Sequence, residues 1–85
     1  MNRLTYDNAS IFSQITAKLQ DILEVQEEIP VDEELNNWGL DSIRSVSLIV
    51  ELEELYQIAF DDDELLYENF STIEKIIARV EGKLC

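Results

Sequence analysis

Apolar residues recur every three or four positions in three separate stretches of this 85-residue chain, a rhythm that commits most of it to helices. From about Asn8 to Glu24, Ile11, Ile15, Leu19 and Ile22 follow one another at helical spacing, with Phe12 and Leu23 alongside. Ser13, Gln14, Lys18, Gln20 and Asp21 fall mostly outside that stripe, so the helix is amphipathic with one buried face. Asp7, Asn8 and Ser10 are candidates for its cap. A second helix is predicted from about Ser42 to Tyr56. Its apolar residues Ile43, Val46, Leu48, Ile49, Val50, Leu52, Leu55 and Tyr56 sweep roughly two thirds of the circumference, leaving Arg44, Ser47, Glu51 and Glu54 on a narrow polar side. A helix this apolar is central in a bundle, or it keeps apolar surface for a partner. The third helix, about Thr72–Glu81, carries Ile73, Ile76, Ile77 and Val80 on one stripe and ends near Gly82. Ser71 at the N-cap and Glu74 at the third position read as its capping box.

Between the first two helices, residues 25–41 break the rhythm with acids, Pro30, Asn36, Asn37 and Gly39. A connection this long in so small a domain tends to be functional. Ile29, Val31, Leu35 and Trp38 predict that it packs down over the helices, with Trp38 pinning it. A second break covers Gln57–Asp62, followed by a short helical turn near Asp63–Tyr67. The expected fold is therefore all-α: a small bundle of three main helices plus one short helix, with a long structured loop between helices 1 and 2. It forms one domain over residues 1–85, with an ordered core at about 8–82 and frayed ends at 1–7 and 83–85, Cys85 included.

Composition removes whole classes of function. Six Lys+Arg against nineteen Asp+Glu leave a formal charge of −13, which repels nucleic-acid phosphates and anionic membranes and favours soluble partners with a basic patch. No stretch approaches the roughly 20 apolar residues that span a bilayer, and MNRLTYDNAS contains no apolar signal core, so a cytoplasmic location is expected. The chain has no histidine and one cysteine. A serine or cysteine nucleophile therefore has no histidine to activate it, Cys/His zinc sites are excluded, and no internal disulfide can form. Two glycines cannot build a phosphate-cradling loop. If the chain takes part in chemistry, it does so as something acted upon.

One segment carries that possibility: Trp38-Gly39-Leu40-Asp41-Ser42-Ile43. Asp41 is a good N-cap, so Ser42 falls in the first turn of the central helix, where unsatisfied N–H groups and the positive end of the helix dipole favour an anion. Gly39 supplies backbone freedom that keeps the serine on an accessible corner. From the residues alone, plain capping explains the pattern as well.

Gly39-Leu40-Asp41-Ser42-Ile43 resembles the Gly-(Leu/Ala)-Asp-Ser-(Leu/Ile) signature of acyl carrier and peptidyl carrier proteins. The similarity runs from about residue 8 to 82 and includes the helix order, the long first loop, Leu52–Glu54, Phe60 and Phe70-Ser71-Thr72-Ile73. It implies that a phosphopantetheinyl transferase attaches 4′-phosphopantetheine, drawn from coenzyme A, to Ser42. The arm's thiol would carry acyl or aminoacyl thioesters between loading ligases and synthases. The protein would be a non-catalytic, monomeric shuttle in fatty-acid, polyketide or nonribosomal-peptide-type biosynthesis, with Gly39, Leu40 and Asp41 shaping the attachment site. Ile43, Val46 and Val50 would give partners an apolar strip flanked by Glu53 and Glu54. Two positions depart from the family pattern. Ser47 stands where many members have an acid, and Arg44 where fatty-acid carriers often do. Arg44 could pair with the cofactor phosphate or with Asp41, or adjust docking; together the departures lean towards a specialised pathway.

Two other readings compete. An acidic helical adaptor could share the fold and never be modified. A calcium-responsive protein is suggested by Asp61-Asp62-Asp63-Glu64, but the acids are consecutive and no loop glycine is present, so these acids are better read as favouring the start of the following short helix.

Overall fold

The computed structural model of the chain describes residues 8–84. Helix α1 spans Asn8–Leu23, α2 spans Ser42–Tyr56 and α3 spans Ile73–Leu84, and no strand occurs among the described residues. Helix α1 packs against both of the others, while α2 and α3 meet over a shorter stretch. The core is built from the predicted stripes: Ile11, Ile15, Leu19 and Leu23 of α1, Leu48, Leu52 and Tyr56 of α2, and Ile73, Ile76 and Val80 of α3. The α1 stripe ends on Leu23, with Ile22 only half-buried. Tyr56 completes the α1–α2 seam by donating its hydroxyl to Gln14 Oε1 at 2.7 Å, and Lys18 meets Glu51 at 3.0 Å on the rim. The α1 cap candidate Asp7 lies outside the described residues, as do residues 1–6 and Cys85.

The long loop packs down as expected. Ile29, Leu35 and Leu40 are buried and Trp38 is half-buried, whereas Val31 is exposed. Val31 contributes its backbone instead: its carbonyl accepts the Glu74 N–H at 3.1 Å, and Leu35 N–H donates to the Ser71 carbonyl at 2.7 Å. These two bonds tie the loop to the start of α3. Residues Leu35–Trp38 form a 3-10 turn that the sequence reading did not contain, closed by Gly39 in the left-handed region at φ 98°. That conformation is the reason a glycine stands there.

Three expectations need correction. The single short helix near 63–67 is two 3-10 turns, Asp62–Glu64 and Tyr67–Asn69. The capping box is not at Ser71 and Glu74. Thr72 caps α3, its Oγ1 accepting the Lys75 N–H at 3.2 Å, because the Glu74 N–H that a Ser71 cap would need is already given to Val31. Ser71 is buried, donating to the Glu68 carbonyl at 3.3 Å. A true capping box sits earlier, where Asp61 and Glu64 exchange side-chain and backbone bonds. Finally, α3 continues through Gly82 to Leu84 instead of ending near Gly82. Lys83 holds that last turn, with Nζ 2.6 Å from Glu64 Oε1.

Candidate functional site

The first turn of α2 is organised by Asp41. Its backbone is extended, its Oδ1 accepts the Arg44 N–H at 2.8 Å, and its carbonyl accepts the Ser45 N–H at 2.8 Å. Ser42 is the first helical residue and is exposed, as is Gly39, while Leu40 is buried beneath them. The anchoring is physical: the 3-10 turn ends on Gly39, Leu40 N–H returns to the Leu35 carbonyl at 3.1 Å, and the buried Leu40 side chain pins the corner. The serine hydroxyl thus stands at the rim of the bundle on a well-fixed backbone.

A cleft of about 620 Å³ opens beside it, lined by Asn36, Leu40, Asp41, Ser42, Ser45, Val46, Ile49, Val50, Glu53, Leu65, Leu66 and Phe70. One wall is the Ser42 face of α2, which carries Ser42, Ser45, Val46, Ile49 and Glu53 at helical spacing. The other is the segment between the two late 3-10 turns. Phe70 forms its floor and meets Phe60 edge-on at 5.3 Å, a pair worth about 0.5–1.5 kcal/mol beyond its buried area. Glu53 is half-buried, and its Oε2 accepts the Phe60 N–H at 2.9 Å, tethering the chain where it leaves α2.

Of the candidate site residues, Leu40, Asp41, Ser42, Val46, Val50 and Glu53 come together around this cleft. Ile43, Arg44 and Glu54 do not line it. Ile43 is 76% exposed, and with Val46 at 61% and Val50 at 44% it forms an outward apolar strip beside the exposed Glu54. The surplus apolar arc of α2 is therefore real surface, not core. The reading from sequence missed Leu65 and Leu66, which are 40% and 52% exposed and form the far wall. Their signal was present as two leucines inside an acidic run that no helical stripe explains. It also missed Ser45, whose Oγ is buried without a hydrogen-bond partner.

The acidic run itself is held by cations. Lys83 Nζ lies 2.6 Å from Glu64 Oε1 and 3.9 Å from Asp61 Oδ2, and Arg79 reaches Glu64 at 4.0 Å and Asn69 Oδ1 at 2.9 Å. The Lys83 hydrogen bond, reinforced by the Asp61 N–H, draws the Glu64 carboxyl below its ordinary range, and Glu64 in turn raises Lys83. An ammonium and a guanidinium already neutralise the place a divalent ion would take, and no cluster of three metal-ligating side chains occurs among the described residues.

A family model described as "Phosphopantetheine attachment site" matches residues 13–80. The chain belongs to that family. Its members are non-catalytic carriers that hold 4′-phosphopantetheine covalently on a serine and work with partner enzymes. The chain is 46% identical over 44 residues to a D-alanyl carrier protein of Lactococcus lactis subsp. cremoris (strain MG1363), covering 52% of this chain and 56% of that protein. It is 35% identical over 46 residues to an acyl carrier protein of Phytoplasma australiense, covering 54% of this chain and 58% of that protein. The match spans a little over half the length of these curated relatives. The chain's exposed Ser42 at a helix N-terminus suits a phosphodiester, since the first-turn N–H groups and dipole favour an anion there. None of its described helices is long and apolar enough to cross a membrane.

Proposed function

We propose that Ser42 is the attachment serine and that the chain shuttles small acyl or aminoacyl groups as thioesters on the arm it bears. One observation carries the reading: Ser42 is the exposed first residue of an Asp41-capped helix, opening directly onto an apolar cleft. Phosphopantetheine supplies a flexible reach and a thiol that forms thioesters. The chain's own residues do the rest. Asp41 and the buried Leu40 fix the backbone beneath the hydroxyl. The chain has no histidine to serve Ser42 as a base, and the neighbouring Asp41 Oδ1 is committed to the Arg44 N–H. The serine proton therefore leaves to a phosphopantetheinyl transferase acting on coenzyme A. Ile43, Val46 and Val50, with Glu54 beside them, offer loading ligases and synthases an apolar strip with acidic steering.

The cleft beside Ser42 and the D-alanyl carrier relative support an aminoacyl or other short cargo, and Arg44 and Ser47 support a specialised pathway over housekeeping fatty-acid synthesis. The test is direct. Incubation with coenzyme A and a broad-specificity transferase should add one phosphopantetheine to the intact mass, and Ser42→Ala should abolish the gain. A folded protein whose mass stays unchanged would return the chain to the unmodified adaptor reading.

A further inference from the structure

Arg44 is set apart from the other described cations. Lys18 pairs with Glu51, Lys83 with Glu64, Arg79 with Asn69 and Glu64, and Lys75 donates to Ser71 Oγ. The Arg44 backbone N–H is bonded to Asp41, but its guanidinium has no ion pair or hydrogen bond among the described residues, in a chain that carries −13. It is nevertheless placed and half-buried. Helical side chains lean back toward the N-terminus, and Arg44 Nη1 lies 3.5 Å from where a Cβ on Gly39 would be, so the guanidinium rests on the left-handed turn just before Ser42. A cation over the first turn of a helix opposes the dipole, so in the unmodified chain this placement is mildly unfavourable. An anion on the Ser42 oxygen reverses that sign. A guanidinium is also the side chain suited to two oxygens of one phosphate.

We infer that Arg44 binds the phosphodiester that joins the arm to Ser42, making it a positioning residue that restrains the root of the arm at the Gly39 side of the helix start. The assignment rests on Ser42 as the attachment serine. It makes the effect of Arg44 on the fold depend on loading: neutral or slightly adverse in the unloaded chain, favourable in the loaded one.

The experiment is a cycle of unloaded and loaded protein, each as wild type, Arg44→Gln and Arg44→Lys, with loading confirmed by intact mass. In wild type, the Arg44 Nε–H resonance should shift on loading. The 31P resonance of the loaded wild type should differ from that of loaded Arg44→Gln, with Arg44→Lys between them. Loading should raise the melting temperature of wild type by about 1–4 °C at low salt, and the gain should vanish in Arg44→Gln and shrink at high salt. If loading moves the Ser42 and Ile43 amides while the guanidinium resonance and the 31P shift stay put, the inference is overturned and Ser42 stands. If wild type takes up no phosphopantetheine, both fall. Should Arg44→Gln resist loading, the wild-type pair and Arg44→Lys still decide it.

Discussion

Helices α2 and α3 both begin beside a serine that follows or precedes a good capping residue, yet the two serines end in opposite environments. Ser42 is exposed at the rim of a cleft, with Asp41 before it as the cap. Ser71 is 2% exposed, with Thr72 after it as the cap and the long loop folded across it through the Leu35 and Glu74 N–H bonds. A serine at a helix start is thus a local feature, while its availability depends on what the rest of the chain lays over it. The one left open is accessible from solvent, and the covered one holds two segments together.

The largest effect expected from this contrast is on loading. Ser42→Ala should abolish phosphopantetheine uptake with an unchanged circular dichroism spectrum, whereas Ser71→Ala should load fully, as read by intact mass. Serine 71 loaded in place of serine 42 would break the comparison. The two sides of α2 extend it to stability. Leu52→Ala, at a fully buried position, should cost about 2–5 kcal/mol in denaturant unfolding, while the exposed Val46→Ala should stay within about 0.5 kcal/mol and instead weaken partner-enzyme turnover. The caps come next. Asp41→Ala and Thr72→Ala should each cost about 1 kcal/mol, and only Asp41→Ala should also slow loading, because it alone loosens the turn that presents Ser42.

The smallest effect is the pH response of the Glu64–Lys83 pair. The folded state lowers Glu64, so its contribution is present above the ordinary carboxylate value of 4.5 and is lost as pH falls through the lowered one. It raises Lys83, so that contribution is present below 10.5 and is lost as pH rises through the raised value. Stability should therefore fade at both extremes, and Lys83→Met should flatten both limbs in thermal melts across pH. A melt profile in Lys83→Met indistinguishable from wild type would show that the pair contributes nothing measurable.

Much of the fold was legible because helix periodicity is a property of neighbours three and four residues apart. Asn8–Leu23 and Ser42–Tyr56 lie where the apolar rhythm placed them, and Asp41 caps α2 as its position beside the stripe implied. The errors fall where local signals compete. Ser71-Thr72-Ile73-Glu74 has the spacing of a capping box, but its central donor was claimed by Val31, about forty residues away. Asp61 and Glu64, read as part of an acidic run favouring the start of a short helix, form the box instead, and Lys83 reaches back to them and keeps α3 wound past Gly82. Leu65 and Leu66 follow no period and became a cleft wall only because the chain passes opposite Val46 and Ile49.

What the order of residues determined by itself is the three α-helices, the cap at Asp41 and the serine that follows it, since each depends on backbone propensity and spacing within a turn or two. Which serine stays open, which hydrogen bonds the caps receive and where the apolar surplus of α2 faces water were decided by tertiary structure alone. Those outcomes are competitions for the same donors and the same buried area between segments far apart in the chain, and only folding settles which of them prevails.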